Sequence, residues 1–365
     1  MSTVMILANS SAGLYDFRNE LVQALLQEHK VVVSLPDEVK TKELEEEGCE
    51  VVRTQLSRRG TNPVKDLALL ARYRKLLRKY KPDLVLTYTI KPNVYGGMAC
   101  AAAGIPYIAT VTGLGSAFEK GGLLTSVAST LYRQGLRKAS CVMFQNVENR
   151  ELFRRSGMVS GRSRLVTGSG VNLATHSFEP YPQGPVTRFL YVGRMMREKG
   201  IGEFLEAAKA LHSDQVEFDL IGYCDEDWQD KLDAAEKEGW IRQLGFQTQM
   251  HGFYKKASAV VLPTYHEGMS NVLMEASATG RPVIATRISG CREIFDEGIT
   301  GFGCAPGSAK SLIEALQKFL ALDPASRAAM GRSAREKMQR EFDRKRVTQD
   351  YLEEINAAIR KAPQH

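Results

Sequence analysis

The sequence predicts an α/β protein built from two doubly wound halves, and three observations predict it. Short apolar runs such as VMILA (Val4 to Ala8), KVVVSLP, PDLVLTYT and YIATVTG alternate with longer amphipathic segments through the first half, as parallel strands joined by crossover helices do. A loop-like, Pro-containing stretch, GVNLATHSFEPYPQGP, interrupts the series. The alternation then begins again at RFLYVGRM and runs to VIAT. A chain of 365 residues holds two domains of ordinary size. The expected division is residues 1–176, residues 177–345, and a last helix over 346–365 that crosses back to the first domain.

In chain order, VMILA reads as a strand and Asn9 to Tyr15 (NSSAGLY) as a small-residue turn before a helix, DFRNELVQALLQEH, with Phe17, Leu21 and Leu25 on its apolar face. Gly13 lies at that strand's carboxyl end, where open α/β sheets place ligands. No GxGxxG dinucleotide fingerprint accompanies it. The acidic ELEEEG segment reads as a solvated helix face. NPVKDLALLARYRKLLRKYKPD is a helix with an apolar stripe of Leu67, Leu70, Tyr73 and Leu77 and a face dense in Arg and Lys, read first as an ordinary surface helix packed on the sheet and second as a membrane-facing one. KPNVYGGMACAAAGIP is a helix of small residues. Gly113 to Ser140 mixes glycines, apolar and basic residues, and reads either as an amphipathic flap touching lipid or as a buried connection. SCVMFQN, ENRELFRRSG and SRLVTGSGVN complete the half.

The second half concentrates the chemistry. The strand RFLYVGRM carries Arg194 at its tip, with Glu198, Lys199 and Gly200 before the helix EFLEAAKALHS. Two cations around a strand tip can clamp a diphosphate, Arg by forked hydrogen bonds and Lys as a point charge. VEFDLIGY, IRQLGF and SAVVLPT are further strands, separated by the helices DWQDKLDAAEKEGW and QTQMHGFYKKA. The stretch Val260 to Thr286, VVLPTYHEGMSNVLMEASATGRPVIAT, is a strand, loop, helix, strand unit with Ser270 or Asn271 as N-cap. Free backbone N–H groups and the positive helix end there favour anions. Glu267 in the loop and Glu275 in the helix bracket that cradle. A carboxylate suits hydroxyls better than phosphate, so Glu275 reads as a ribose acceptor and Glu267 as a partner of a sugar beyond the phosphates. GCREIFDEGITGFGCAP is an irregular turn, and three helices close the chain.

Composition narrows the rest. With 43% hydrophobic and 25% charged residues the chain is globular. No uncharged apolar run reaches 18 residues and MSTVMILANSS lacks a basic signal-peptide start, so the expected location is the cytoplasm. Six scattered cysteines form no CxxC pair, and the six histidines no HxxxH or HxH pair, so neither disulfides nor a metal site is expected. His266, beside Glu267, reads as a packing or hydrogen-bonding residue. Residues 1–176 hold 24 Lys+Arg against 15 Asp+Glu, and the remainder 25 against 27. The basic excess of the first half suits a polyanion, an anionic membrane surface or a phosphorylated substrate.

GRMMREKGIGEFLEAA, PTYHEGMSNVLMEASATGRPVIAT and GCREIFDEGITGF together resemble the nucleotide-sugar half of the retaining glycosyltransferase family 4, whose Glu-x7-Glu signature matches Glu267 and Glu275. The resemblance implies the GT-B fold, two Rossmann-like doubly wound domains facing a central cleft. SSAGLYDFRNELVQAL, Asn62-Pro63 and VTGLGSAF look like the branch that elongates lipid-diphosphate-linked sugars in bacterial capsule, O-antigen and N-glycan assembly.

Carried onto this sequence, the resemblance implies that Arg194 and Lys199 bind the donor diphosphate, that Glu275 binds the ribose, and that Glu267 contacts the donor sugar. It places the backbone of Gly13, Met269, Ser270 and Asn271 around phosphates and sugar, and Gly245 and Phe246 beside the base. Many relatives carry a His before the Gly that matches Gly113; here that position is Thr112. The implied reaction is retaining transfer of a hexose-type sugar, an N-acetylhexosamine such as N-acetylgalactosamine, from a UDP-sugar to an undecaprenyl-diphosphate-linked saccharide. It needs no metal and no cofactor, and its partners are donor, lipid-linked acceptor and an anionic membrane surface, not nucleic acid. A nucleotide-sugar 2-epimerase or hydrolase on the same architecture, and a non-catalytic nucleotide-sugar-binding protein, are the competing readings.

Overall fold

A computed structural model describes residues 2–56, 62–113 and 122–361, with the side chains of residues 123 and 124 left aside. Seven strands form the first sheet: β1 (Ser2–Leu7), β2 (His29–Leu35), β3 (Glu50–Arg53), β4 (Leu84–Tyr88), β5 (Tyr107–Val111), β6 (Cys141–Phe144) and β7 (Ser163–Leu165). All pair in parallel, in the order β3-β2-β1-β4-β5-β6-β7. The strands are near-continuous apolar runs because helices cover both faces. Val4, Ile6, Val31, Val33 and Leu86 face α1 (Ser11–Glu28) and the last helix. Met5, Leu7, Val32 and Val85 face α3 (Pro63–Tyr80) and α4 (Gly97–Ala103). A short helix, α2 (Thr41–Glu46), precedes β3. A fully buried Leu of this kind, such as Leu25 of α1, contributes about 2 kcal/mol.

Three local expectations change. The NSSAGLY turn is the first turn of α1, because the Ser10 side chain accepts the Gly13 N–H at 3.2 Å and starts the helix early. Gly13 therefore has helical backbone. In α3 the inward stripe is Leu69, Tyr73 and Leu77, while Leu67 is 65% exposed. Residues 69, 73 and 77 repeat every four positions, and Leu67 falls well off that line. The small-residue helix opens with a π turn over Pro92–Gly96 before α4. Its glycines do permit close approach: a Cβ on Gly97 would lie 1.9 Å from the Gly135 carbonyl oxygen of α5 (Gly122–Leu136). Of the segment read as flap or connection, residues 114–121 lie outside the described residues, and α5 occupies most of the remainder. α6 (Val147–Arg155) follows β6.

The second sheet contains β8 (Thr187–Val192), β9 (Val216–Ile221), β10 (Arg242–Gln243), β11 (Ala259–Leu262), β12 (Val283–Thr286) and β13 (Gly301–Cys304), all parallel in the order β10-β9-β8-β11-β12-β13. Its helices are α7 (Ile201–Leu211), α8 (Gln229–Lys237), α9 (His251–Lys256), α10 (Asn271–Ala278), α11 (Ala309–Leu320) and α12 (Pro324–Glu341). β13 lies inside the segment expected to be an irregular turn. Its two glycines hide the strand pattern, yet Gly301 is needed, since a Cβ there would fall 2.1 Å from the Val283 carbonyl oxygen.

The chain divides into a first unit, Met1–Ser169 with Lys345–His365, and a second, Gly170–Arg344. Gly170, with φ +64°, packs against Arg344, where a Cβ would sit 2.5 Å from its Cα. α13 (Arg344–Lys361) then supplies Val347, Tyr351 and Ile355 to the first unit's core. Its Glu354 accepts both Arg162 Nε and Arg162 Nη2 at 2.7 Å beside β7. In each unit the strand order reverses once, between β1 and β4 and between β8 and β11. Beyond the carboxyl ends of such a pair, doubly wound sheets place their ligands.

Candidate active site

In the second unit, the loops leaving β8 and β11 meet at that reversal, and their backbone is fixed by close approach. Gly200 has φ +72° and a Cβ there would lie 2.1 Å from the Pro263 carbonyl oxygen. Gly222 similarly meets the Gly193 carbonyl oxygen, at 1.9 Å. The Glu198 carbonyl accepts from Tyr265 N–H at 2.9 Å and from Thr264 Oγ1 at 3.2 Å. From within the core, the Tyr191 hydroxyl donates to the Arg194 carbonyl at 2.9 Å. Lys199 ends a 3-10 turn, Arg197–Lys199, directly before α7. The two loops thus form one rigid platform.

On that platform stand two ion pairs. Lys199 Nζ lies 2.5 Å from Glu267 Oε1, and Arg194 Nη1 lies 2.7 Å from Asp225 Oδ2. Arg194, Lys199 and Glu267 are therefore held by carboxylate or ammonium partners from neighbouring strand tips. Asp225 was not foreseen; it stands in an acid-rich segment, DEDW, where nothing in the spacing marks it.

α10 begins as expected. The Ser270 hydroxyl accepts the Leu273 N–H at 3.4 Å. The Ser270 N–H is not free, however: it donates to the Gly290 carbonyl at 2.9 Å. Gly290 must be glycine, because it has φ +87° and a Cβ would lie 2.8 Å from the carbonyl oxygens of Glu267 and Gly268. Met269 is buried, and Asn271 opens the helix. Glu275 reaches the second turn, where Tyr254 donates its hydroxyl to Oε2 at 2.8 Å and His176 Nε2 stands 4.0 Å from Oε1. Burial and the neighbouring His251 and Arg344 push the His176 pKa down to about 4. Burial against Glu275 also raises the Tyr254 phenol well above its ordinary value. Both are neutral at pH 7.

Gly245 (φ +66°) accepts the Gly222 N–H at 3.0 Å. Phe246 beside it is 66% exposed, with the Tyr223 ring 6.2 Å away. This exposed aromatic pair, at the carboxyl ends of β9 and β10, is the kind of surface on which a planar base stacks.

Gly13, Thr112 and Gly113 belong to the first unit. Thr112 and Gly113 follow β5 directly. With the Gln145 amide turned to satisfy both neighbours, its nitrogen donates to the Thr112 carbonyl at 3.2 Å and its oxygen accepts from Arg18 Nη2 at 3.0 Å. His266 is exposed, and its carbonyl accepts the Thr264 hydroxyl at 3.3 Å. Among the described residues, no group of three or more His, Cys, Asp or Glu is placed to hold a metal ion.

The family described as glycosyl transferases group 1 matches residues 186–321, and that described as glycosyl transferase 4-like domain matches residues 16–167. The chain is 26% identical, over 97% of its length and 98% of the relative's, to the N,N'-diacetylbacillosaminyl-diphospho-undecaprenol alpha-1,3-N-acetylgalactosaminyltransferase of Campylobacter jejuni. It is 25% identical, over 71% of each chain, to the UDP-Gal:alpha-D-GlcNAc-diphosphoundecaprenol alpha-1,3-galactosyltransferase of Escherichia coli. In fold it is similar to the Anabaena protein HepE, crystallised with UDP and glucose (TM-score 0.80, 19% identity, 98% of this chain and 100% of that one). It is likewise similar to the sucrose-phosphate synthase of Thermosynechococcus elongatus (TM-score 0.81, 22% identity, 98% and 99%).

Proposed function

The chain belongs to the group 1 glycosyl transferases of GT-B fold, and on that premise we propose that it is a retaining, metal-independent hexosyltransferase acting on undecaprenyl-diphosphate-linked saccharides. The donor is a UDP-sugar, with an N-acetylhexosamine such as N-acetylgalactosamine as the sugar moved. The observation that carries this reading is the pairing of Lys199 with Glu267 and of Arg194 with Asp225 on the loops at the strand tips, with Glu275 on the helix that follows β11.

As the anomeric carbon becomes oxocarbenium-like, negative charge grows on the departing diphosphate. Arg194 supplies a planar fork and Lys199 a compact ammonium to meet it, and preorganised charges of this kind stabilise the transition state more than the ground state. Asp225 and Glu267 hold those two cations in place beforehand. These cations do the work a divalent ion does elsewhere, so no resident metal or cofactor is required. Glu267 also faces the hydroxyls of the donor sugar, Glu275 takes the ribose diol, and Phe246 with Tyr223 flanks the uracil beside Gly245. The amides of Met269 and Asn271 lie beside the phosphates and the sugar. With Thr112 in place of a histidine, retention follows from same-face attack assisted by the departing phosphate oxygen.

A place at the inner face of the plasma membrane accompanies this reading. The two lipid-diphosphate transferases it resembles support it, and so does α3. The outward side of α3 carries Val64, 74% exposed, and Leu67 among Arg72, Arg74, Lys75, Arg78 and Lys79. Its one acid, Asp66, turns to Lys91 at 2.6 Å. Each such cation near an anionic surface adds about 1 kcal/mol. α5 fits less well, since Arg133 spends its guanidinium on the carbonyls of Ser156 and Gly157 at 3.1 Å. Among the described residues, no helix is long and apolar enough to cross a membrane.

Calorimetric titration with UDP and UMP in the presence of EDTA tests the donor half. UDP binds at least tenfold tighter than UMP, and Arg194→Ala removes that advantage. Equal affinities for the two nucleotides, or a requirement for divalent metal, refute it.

A further inference from the structure

We infer that Tyr254 is a positioning residue for the ribose contact: its hydroxyl holds the Glu275 carboxylate in one orientation while Arg281 ties its backbone carbonyl, so ribose recognition depends on a side chain that does not touch the ligand. The inference rests on the nucleotide reading above.

Glu275 stands on α10 with its side chain only 13% exposed. A long flexible carboxylate at such a position has several rotamers open to it unless a partner selects one. Tyr254 is that partner. Its ring is fully buried and its hydroxyl donates to Glu275 Oε2 at 2.8 Å. A hydroxyl donating to an ionised acceptor is among the stronger hydrogen bonds of a protein.

The backbone that carries Tyr254 is tied by Arg281. That guanidinium is wholly buried and donates to the carbonyls of Tyr254 (2.9 Å), Lys255 (3.0 Å), Gly280 (3.0 Å), Glu179 (3.1 Å) and Pro180 (2.8 Å). It ties the carboxyl end of α9 to the turn after α10, closing the C-terminal carbonyls with a cation as helix ends favour. The hydroxyl on α9 and the carboxylate on α10 therefore keep a fixed separation.

His176 closes the other side. Its ring centroid is 5.9 Å from that of Tyr254, and its carbonyl accepts from Arg335 Nη1 at 2.7 Å. A neutral imidazole walls the carboxylate without neutralising it.

The test compares UDP with 2′,3′-dideoxy-UDP by calorimetry on the full chain, as wild type, Tyr254→Phe and Glu275→Ala. Phe keeps the ring and deletes only the hydroxyl. Wild type binds UDP at least tenfold tighter than the dideoxy compound, and Glu275→Ala abolishes the preference. Tyr254→Phe cuts it by threefold or more while dideoxy-UDP affinity stays within twofold. An unchanged preference in Tyr254→Phe overturns the inference, and so does an equal loss for both ligands, which marks a merely structural role; either leaves the ribose role of Glu275 standing. If wild type shows no preference, or Glu275→Ala retains it, the ribose reading falls and the inference with it.

Discussion

Lys199 and Glu267, 68 positions apart in the chain, are joined at 2.5 Å between Nζ and Oε1, with only 20% and 16% of their side chains exposed. The pair bridges the loop after β8 and the loop after β11, and so holds an ammonium at the point where the strand order reverses. A partly buried pair of this kind acts as a unit.

Lys199→Ala and Glu267→Ala each lower kcat by about 100-fold, as loss of one preorganised charge typically does. The double variant is little worse than either single one, because each deletion already disables the pair. Steady-state kinetics of the three variants checks this.

Arg194 is oriented by Asp225. Asp225→Asn keeps the shape and removes the charge that fixes the guanidinium, so kcat/KM for the donor falls by roughly tenfold, less than the loss in Arg194→Ala. Initial rates at limiting UDP-sugar measure both.

Two glycines respond oppositely to alanine. Gly200→Ala forces a Cβ to within 2.1 Å of the Pro263 carbonyl oxygen at φ +72° and destabilises the protein by about 2 kcal/mol or more. Gly13→Ala sits in the first turn of α1, where a Cβ meets only Ser10 at 3.4 Å. It leaves stability unchanged or raises it by about 0.5 kcal/mol. Thermal melts of both variants distinguish them.

His176 makes stability depend on pH. Its pKa falls from 6.5 in the unfolded chain to about 4 in the folded one, so between those values the unfolded state binds the extra proton. Stability therefore rises with pH across that window and is lost on acidification through it, by up to about 3 kcal/mol. His176→Gln flattens that part of the profile, read by urea unfolding at pH 4.5 and 7.

How much of this was legible in the sequence follows from which interactions are local. The apolar runs of β1, β2, β4 and β11 announce buried parallel strands, and Arg194, Lys199, Glu267 and Glu275 stand out because they fall just past such runs or in the next helix. Asp225, Tyr254 and Arg281 did not, since each acts through a partner between 21 and 31 positions away and spacing along the chain does not reveal the pairing. His176 sat in a segment legible only as linker. The early start of α1 was hidden by glycine and serine, which read as turn until the Ser10 cap is seen. Leu67 was misplaced because α3 offers two plausible apolar lines and only packing on Met5 and Val85 selects between them.

The most direct test is the identity of the product, read by its mass and by the anomeric coupling of its new linkage in NMR. A panel of UDP-sugars is incubated with a defined undecaprenyl-diphosphate-linked saccharide, with and without acceptor, in EDTA. The expected product is an acceptor heavier by one hexose-type residue, N-acetylhexosamine, joined with the donor's anomeric configuration and formed only when acceptor is present. Conversion or hydrolysis of the UDP-sugar without acceptor, or an inverted linkage in the product, would contradict it.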